Sequence, residues 1–304
     1  MHQKYLKILS VLLLFIVVWF VFYNWNDILN VYFELNIYWA FIGFGCYVIS
    51  YIFRGVRLKL LIGLKIEFFN EALHFSVLHG FFSYLLPLRA GDVSLPVLLK
   101  ATGKIDLKEG IGALVRLRIL DLSMVGIFTA MGAFSGARAI SSAVQIIWFI
   151  SGIALTFSWL ILKKIGKIGD YLIKKIFQSK FDITTILKIN SKEIFITFFI
   201  WMSVYACQYC MIRSIGLDLK LSEVVFLSAI QFPLQMLPVQ GLANSGNHEG
   251  GWVSSLLLMG FSAQESMKYA IASHGVLIIY VALLGLLAMI TGNRKIVSFF
   301  KSQS

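Results

Sequence analysis

The sequence predicts an all-α, multi-pass membrane protein, and three observations lead to that prediction. Of its 304 residues 59% are hydrophobic, apolar runs of membrane-spanning length recur along the chain, and only 14% of the residues are charged. Soluble domains carry about 25% charged residues. This composition excludes a water-soluble enzyme, a disordered protein and a nucleic-acid-binding domain, although the net charge of +12 alone would suit the last.

Six segments are predicted to cross the membrane, since each approaches the roughly 20 mostly apolar residues that a crossing needs. They are 8–23, 37–53, 111–134, 143–162, 194–212 and 269–291. The first follows Lys4 and Lys7 and ends in large aromatic residues. Signal peptidase requires small residues at its cleavage site, so we interpret this segment as an uncleaved anchor.

Basic residues indicate how these segments are oriented. Of the 27 Lys and Arg residues, 23 lie in five regions: 1–7, 54–65, 89–118, 163–192 and the tail after 291. Because positive charge accumulates in cytoplasmic loops, we predict that both termini are cytoplasmic and that the protein lies in a cytoplasmic (inner) membrane. The connector from Lys163 to Lys192 is expected to lie along an anionic lipid surface and not to form a site.

Two further segments are apolar but interrupted, namely 72–100 and 224–260. The first apolar run stops at Leu86-Pro87 and the second at Leu237-Pro238, and each is followed by a polar, Gly-containing stretch and a short apolar piece. Proline removes a backbone donor and glycine permits positive φ, so we predict that both form re-entrant helical hairpins. Two ordinary kinked helices are the alternative interpretation.

The positions of the two breaks indicate an internal repeat. They are 151 residues apart, almost half the chain, and three predicted crossings separate them, so the hairpins would enter from opposite sides. Paired broken segments in opposite orientations are typical of inverted-repeat transporters, whose site lies where the hairpin tips meet. We therefore predict one integral membrane domain over 1–304, with halves 1–150 and 151–304.

Three motif elements follow one another along the chain. They are Leu86-Pro87-x-Arg89-x-Gly91-Asp92, then Arg118-x-x-Asp121, then a Pro- and Gly-rich loop ending in Glu249. Together they resemble the flippase-like membrane family that includes the membrane region of lysylphosphatidylglycerol synthases, over about 10–290. The resemblance implies translocation of a lipid or lipid-linked headgroup between leaflets.

The chain also departs from that family. Asp92 stands where the family prefers Glu, Leu117 stands where it prefers an acidic residue, and the second loop is longer. Members with synthase activity have a soluble aminoacyl-transferase domain after the membrane region. This chain stops at 304, so we do not expect that activity here.

Arg89, Gly91 and Asp92 are candidate binding residues at the first break. Gly91 lets the backbone turn, and Asp92 can cap the short helix 93–100, whose start favours an anion. The planar guanidinium of Arg89 suits bidentate phosphate binding. The alternative is an Arg89–Asp92 pair that only closes the turn.

Arg118 and Asp121 are three residues apart and therefore share a helix face. They form either a buried structural ion pair or part of an anionic pathway, while Arg116 is expected to extend to the cytoplasmic interface. His248 and Glu249 begin the predicted half-helix 250–260. There Glu249 could cap the helix, exchange a proton, bind a cationic headgroup or pair with an arginine of the first half.

The sequence contains no recognisable catalytic or metal motif. It has no GxSxG, no HExxH and no P-loop, so we predict no enzyme, no cofactor and transport that is passive or coupled to an ion or proton gradient. His74 and His79 are five residues apart, which does not place them on one helix face for zinc. Cys46, Cys207 and Cys210 fall in apolar spans and are expected to be small core residues.

The sequence favours a membrane translocator of an anionic lipid or of a lipid-linked, polyprenyl-phosphate-type headgroup. Two alternatives remain: a membrane-embedded lipid-modifying enzyme, and a non-catalytic membrane subunit of a cell-envelope glycolipid synthesis complex. We expect no nucleic-acid partner. A homo-oligomer or an envelope-synthesis partner is compatible with the sequence.

Overall fold

The computed structural model describes residues 25–134, 142–158, 189–237 and 240–291, and it is helical throughout, without a strand in these ranges. The helices are α1 (Trp25–Phe33), α2 (Ile37–Ile62), α3 (His74–Leu85), α4 (Ser94–Ala101), α5 (Leu107–Gly132), α6 (Ser142–Thr156), α7 (Ser191–Ser214), α8 (Leu221–Gln235), α9 (Asn247–Leu258) and α10 (Ala263–Thr291). Short 3₁₀ segments lie at Gly63–Lys65, Pro87–Val93 and Leu242–Asn244, and a π-helical segment at Phe68–Leu73 leads into α3.

Three helical segments in the described part of the chain are long and apolar enough to cross a membrane. They are Ile37–Lys65, Ser191–Ser214 and Ala263–Thr291. They contain the predicted spans 37–53, 194–212 and 269–291, and each is longer than predicted because the helix continues past the apolar core into polar residues. These segments establish a multi-pass helical membrane protein.

The other three predicted spans are not among these long apolar segments. Helix α5 is 26 residues long, but it carries five charged residues and is not among the three segments above. Helix α6 is 15 residues long. The anchor predicted at 8–23, most of the connector 163–192 and both termini lie outside the described residues, so the count of six spans stays a prediction.

Side-chain caps explain where several helices begin. The Oδ1 atom of Asn36 accepts from the backbone N–H of Trp39 at 3.3 Å before α2. Asp106 accepts from the N–H of Glu109 at 2.6 Å before α5. Each cap satisfies a backbone donor that has no partner within its helix, and it places the helix start at a polar residue flanked by apolar sequence.

Close helix packing holds the described core together. Helices α5 and α6 approach at Gly126 and Gly152, where an added Cβ would lie 2.4 Å from the nitrogen of Thr156 and 2.5 Å from that of Ala130. Small residues permit such backbone contact between membrane helices. Of the cysteines predicted to be core residues, Cys207 and Cys210 are buried, and all three cysteines of the chain are free.

The order of elements in the first part of the chain recurs in the second. Helix α2 is followed by α3, a loop, α4 and then α5, whereas α7 is followed by α8, a loop, α9 and then α10. Corresponding helices begin roughly 150 residues apart, as expected for two halves of similar design. Each of these two series thus contains one long helix, a pair of shorter helices joined by a loop, and a second long helix.

Candidate functional site

The two interrupted segments form helix–loop–helix hairpins. In the first hairpin, Pro87–Val93 joins α3 to α4, and in the second a loop containing Leu242–Asn244 joins α8 to α9. We call each connecting loop the tip of its hairpin. Leu237 lies just after α8, while Pro238, at the second predicted break, lies outside the described residues.

The two hairpin tips are hydrogen-bonded to each other. The N–H of Leu88 donates to the carbonyl of Gln240 at 2.8 Å. The side-chain amide of Gln240 donates back to the carbonyls of Ser83 at 2.8 Å and Leu86 at 2.9 Å. Arg89 Nη2 donates to the carbonyl of Gln235 at 2.5 Å. Residues more than 140 positions apart therefore meet at one point.

Both tips contain two consecutive left-handed residues that are not glycine. Leu88 and Arg89 each have φ of 54° in the first tip, and Ala243 and Asn244 have φ of 51° and 63° in the second. Such conformations are uncommon for residues with a Cβ, and each costs about 1–3 kcal/mol. The same uncommon backbone device therefore occurs at the tip of each hairpin.

Gly91 fixes the path of the first tip. A Cβ added to this residue would lie 2.0 Å from the carbonyl oxygen of Phe82 in α3. The loop therefore folds directly back onto the end of α3, and only glycine leaves room for that contact. This close approach is the structural reason for the glycine between Arg89 and Asp92.

Four arginines surround a cavity of about 180 Å³ beside the tips. Arg54 and Arg57 come from α2, Arg89 from the first tip and Arg118 from α5. Polar groups complete much of the lining: Ser76, His79, Ser83, Tyr84, Gln235 and Gln240. His79, expected to be a core or interfacial residue, lies with Nδ1 3.2 Å from Ser94 Oγ and Nε2 3.5 Å from Arg118.

Asp92 holds two of these arginines. Its Oδ1 accepts from Arg118 Nη2 at 2.5 Å, and its Oδ2 accepts from Arg89 Nη1 at 3.4 Å. The Arg89–Asp92 contact, which the sequence leaves open as the alternative to anion binding, is present. It is one part of a three-residue network that also joins the first tip to α5.

Asp121 holds the α2 arginines. Its two oxygens accept from Arg57 Nη1 at 2.7 Å and Nη2 at 3.1 Å, and Trp201 Nε1 donates to Oδ1 at 3.2 Å. Arg54 lies 4.0 Å from Oδ2. The Arg57 side chain is only 2% exposed, so this pair is buried, bidentate and strong.

The structure pairs the charges of α5 differently from the sequence-based expectation. Arg118 and Asp121 share a helix face and both line the cavity, but Arg118 bonds to Asp92 and Asp121 bonds to Arg57. Partners on neighbouring elements come closer than the residue one helical turn away. Arg116 donates to Glu193 in α7 at 2.9 and 2.6 Å, and its extension to the cytoplasmic interface stays a prediction.

The cavity has an excess of positive charge. Four guanidinium groups converge on it, and among the described residues two carboxylates, those of Asp92 and Asp121, contact them. The Nε atoms of all four arginines are buried and have no hydrogen-bond partner within the described ranges. Unpaired cationic donors at a polar cavity favour an anion that carries several acceptor oxygens.

A second polar cluster lies behind the second tip. Glu249 Oε2 accepts from the N–H of Gly246 at 2.7 Å, which caps α9, while Oε1 bonds to Nδ1 of His274. The Nε2 atom of His274 lies 2.7 Å from the carbonyl oxygen of Ala243. A carbonyl only accepts, so Nε2 carries a proton, and one further proton is shared between Nδ1 and the Glu249 carboxyl group.

His248 belongs to the same cluster. Its ring stacks on that of His274, with centroids 4.6 Å apart, and its Nε2 lies 3.0 Å from Ser273 Oγ. Its Nδ1 lies 3.3 Å from Nε2 of Gln235. The backbone carbonyl of Gln235 also accepts from Arg89. Gln235 therefore connects the His248 cluster to the arginine cavity.

The sequence-predicted residues therefore occupy two neighbouring clusters. Arg89, Asp92 and Arg118 meet at the first tip, with Gly91 shaping the loop. Asp121 lines the same cavity but bonds to α2, whereas His248 and Glu249 lie behind the second tip. Glu249 pairs with His274. It does not pair with Arg89 or Arg118, which was one of the alternatives that the sequence left open. No group of three or more His, Cys, Asp or Glu side chains suited to a metal ion occurs in the described part of the chain.

Sequence reasoning missed Arg54, Arg57 and His274. The two arginines were counted with the loop charges of 54–65, but α2 continues to Ile62 and carries both into the protein. Their spacing of three residues in an apolar helix was a usable signal, since it places both on one face. His274 is a lone histidine in an apolar run, and no local pattern marks it.

Comparison with known proteins agrees with the motif resemblance. A family model described as the lysylphosphatidylglycerol synthase TM region matches residues 7–285, which is most of the chain. Searches of curated proteins and of solved structures gave no match. The family relation expected from the motifs is thereby confirmed. The chain belongs to the family of the lysylphosphatidylglycerol synthase transmembrane region.

Proposed function

We propose that this protein translocates an anionic lipid, or the anionic headgroup of a lipid-linked carrier, between membrane leaflets. One observation carries the proposal: four arginines from three separate elements converge on a single cavity and, in the part of the chain that the structure describes, face two carboxylates. An insertion penalty of about 2.5–3.5 kcal/mol applies to each charged residue at bilayer depth. A surplus of arginines there indicates a ligand that supplies negative charge.

Three of the four arginines have distinct roles in this proposal. The Arg57 side chain is 2% exposed and its charge is matched by Asp121, so it supports the site. Arg118 and Arg89 are 33% and 19% exposed and share one carboxylate, Asp92. These two guanidinium groups bind the phosphate, because their planar N–H groups match its oxygens in a bidentate arrangement.

The hairpins supply the conformational change. We propose that they are re-entrant, enter from opposite sides of the membrane and belong to an inverted repeat whose termini are cytoplasmic. The recurring element order and the paired left-handed residues at both tips support this repeat. Rocking of one half against the other would then open the cavity to each leaflet in turn, with lipid tails remaining in the bilayer.

The proposal assigns binding and not catalysis to the polar residues. Asp92 positions Arg89 and Arg118, Gln240 joins the tips, and Glu249 with His274 anchors the second tip through the carbonyl of Ala243. The shared proton of the Glu249–His274 pair is an available site for coupling to a proton gradient.

Reconstitution tests the proposal. Purified protein in liposomes with a fluorescent phosphatidylglycerol is treated with a membrane-impermeant quencher, and the rate at which inner-leaflet lipid becomes accessible is measured. The intact protein should accelerate this rate over protein-free liposomes. Arg118→Ala should lower it roughly 10- to 100-fold, the loss expected for hydrogen bonds to a charged group.

Arg213→Ala is the matched control, since Arg213 lies at the end of α7 and pairs with the exposed Asp218. It should leave the rate unchanged. Fluorescent phosphatidylcholine reports non-selective scrambling. No acceleration by the intact protein, or equal rates for Arg118→Ala and Arg213→Ala, would refute the proposal.

A further inference from the structure

A second cavity of about 180 Å³ adjoins the arginine cavity. The two share Tyr51, Arg54, Gly80, Tyr84 and Gln235 in their linings, so they are separated by common side chains. The second cavity lies among α2, α3, α7, α8 and α10. Its own polar side chains include Ser50, Gln208 and Gln231, in addition to the shared Arg54 and Gln235 and to three tyrosines, and the rest of its lining is largely apolar.

The polar groups of this second cavity are buried and incompletely paired. Gln208 Nε2 donates to Gln231 Oε1 at 2.6 Å, and the two residues are 4% and 1% exposed. Gln231 Nε2 and the hydroxyl of Tyr84 are buried without a hydrogen-bond partner in the described ranges. Buried donors without partners are destabilising, so their presence beside a cavity indicates that a ligand completes them.

The charge of this lining restricts the ligand. Its charged side chain is Arg54, and none of the described residues that line it is a carboxylate. The carboxylate nearest to Arg54, that of Asp121, lies 4.0 Å away outside this lining and already binds Arg57. A cationic group in the cavity would therefore meet Arg54 with little acidic charge to offset the repulsion. An alcohol, in contrast, both donates and accepts, which matches amide and phenol groups.

We propose that the second cavity binds the uncharged, polyhydroxyl part of the headgroup, so that the substrate is a phosphate ester of a neutral polyol and not an aminoacylated, cationic lipid. This inference rests on the proposed function, because the phosphate occupies the arginine cavity. Glycerol, inositol and sugar headgroups share the required chemistry. The carrier can be a diacyl lipid or a polyprenyl chain.

The test compares fluorescent lipids in the same proteoliposomes. Phosphatidylglycerol carries the phosphate and the polyol, phosphatidic acid carries the phosphate alone, and lysylphosphatidylglycerol adds a cation. A polyprenyl-phosphate-linked sugar distinguishes the two carriers. We expect the polyol lipids to move fastest and lysylphosphatidylglycerol to move at least roughly tenfold more slowly, equivalent to about one charge-assisted hydrogen bond.

Variants separate the second cavity from the first. Gln231→Leu should slow phosphatidylglycerol about tenfold and leave phosphatidic acid unchanged, because Gln231 lines the second cavity and not the first. Gln145→Leu, on α6 and outside both linings, is the matched control. Ser50 also lines only the second of the two cavities. Ser50→Ala removes only a hydroxyl, should slow phosphatidylglycerol and not phosphatidic acid, and keeps the test valid if Gln231→Leu fails to fold.

The outcomes distinguish the two proposals. If phosphatidylglycerol and phosphatidic acid move equally fast, or lysylphosphatidylglycerol moves as fast as phosphatidylglycerol, the polyol site is refuted while anionic lipid translocation stands. If the protein accelerates none of the lipids, translocation itself is refuted and the polyol site with it.

Discussion

Arg118 in α5 donates a hydrogen bond to Asp92 in the first hairpin tip across 2.5 Å. Asp92 also accepts from Arg89, so one carboxylate positions two guanidinium groups at the same cavity. The side chains of Asp92 and Arg118 are 20% and 33% exposed, which leaves the pair accessible to a ligand. This contact joins the hairpin to a long helix through charge at the proposed binding site.

Replacing Asp92 should loosen the first tip. Asp92→Asn removes the charge that opposes two arginines, and we expect it to lower the free energy of unfolding by about 1–2 kcal/mol, since the pair is partly solvated. Asp92→Glu keeps the charge and should lose less. Thermal unfolding in detergent measures this, with Asp218→Asn as a control because Asp218 is largely exposed. A shift no larger than that of the control would contradict the role assigned to Asp92.

Replacing Asp121 should destabilise the protein more strongly. Asp121→Asn leaves the buried guanidinium of Arg57 without a counter-charge, and breaking a buried pair in this way costs about 3–5 kcal/mol. The exposed Lys65–Glu109 pair provides the comparison. Glu109→Gln should change stability by about 1 kcal/mol or less. Similar denaturation midpoints for Asp121→Asn and Glu109→Gln would show that the buried charge of Arg57 does not need Asp121 to compensate it.

Adding one methyl group at Gly91 should displace the first tip. The new Cβ of Gly91→Ala would lie 2.0 Å from the Phe82 carbonyl oxygen, so the loop must move and the unfolding free energy should fall by about 2 kcal/mol or more. Gly250→Ala, where a Cβ meets nothing within 4 Å, should be neutral or stabilising. Hydrogen exchange should show faster exchange of the Leu88 amide in Gly91→Ala alone. Unchanged protection would mean that the tip tolerates the side chain.

The hydrogen bond between Glu249 and His274 predicts how substitutions of Glu249 change the stability of the protein. Glu249→Gln keeps an oxygen for the Gly246 N–H and gains an amide N–H for His274 Nδ1, so we expect a loss of about 1 kcal/mol or less. Glu249→Ala removes both bonds and should cost about 3 kcal/mol. Unfolding of the two variants at neutral pH makes the comparison. Equal destabilisation by Gln and Ala would show that the pair requires a full negative charge.

Local chemistry predicted the interruptions well. The Leu86-Pro87 break and Gly91 are found where the backbone turns between α3 and α4, because proline ends a helix and glycine permits the close approach to Phe82. The long apolar helices were also predictable from composition. Their ends were misplaced because hydropathy falls before the helix stops, as in α2, which continues to Ile62.

Long-range pairing was not predictable in the same way. Arg57 and Asp121 are 64 residues apart, and Glu249 and His274 are 25 residues apart on different helices. Which charges meet depends on how the helices pack. No local sequence pattern marks a contact between residues so far apart in the chain. The i, i+3 rule therefore identified the shared face of Arg118 and Asp121 but not their partners.

The charges of α5 also constrain the order in which its ion pairs can form. Asp121 and Arg118 pair with residues 64 and 26 positions earlier in the chain, which are already synthesised when α5 emerges. The partner of Arg116 is Glu193, 77 residues later. Two of these three charges can therefore be matched as soon as α5 has been made, whereas that of Arg116 is matched only once α7 has been made.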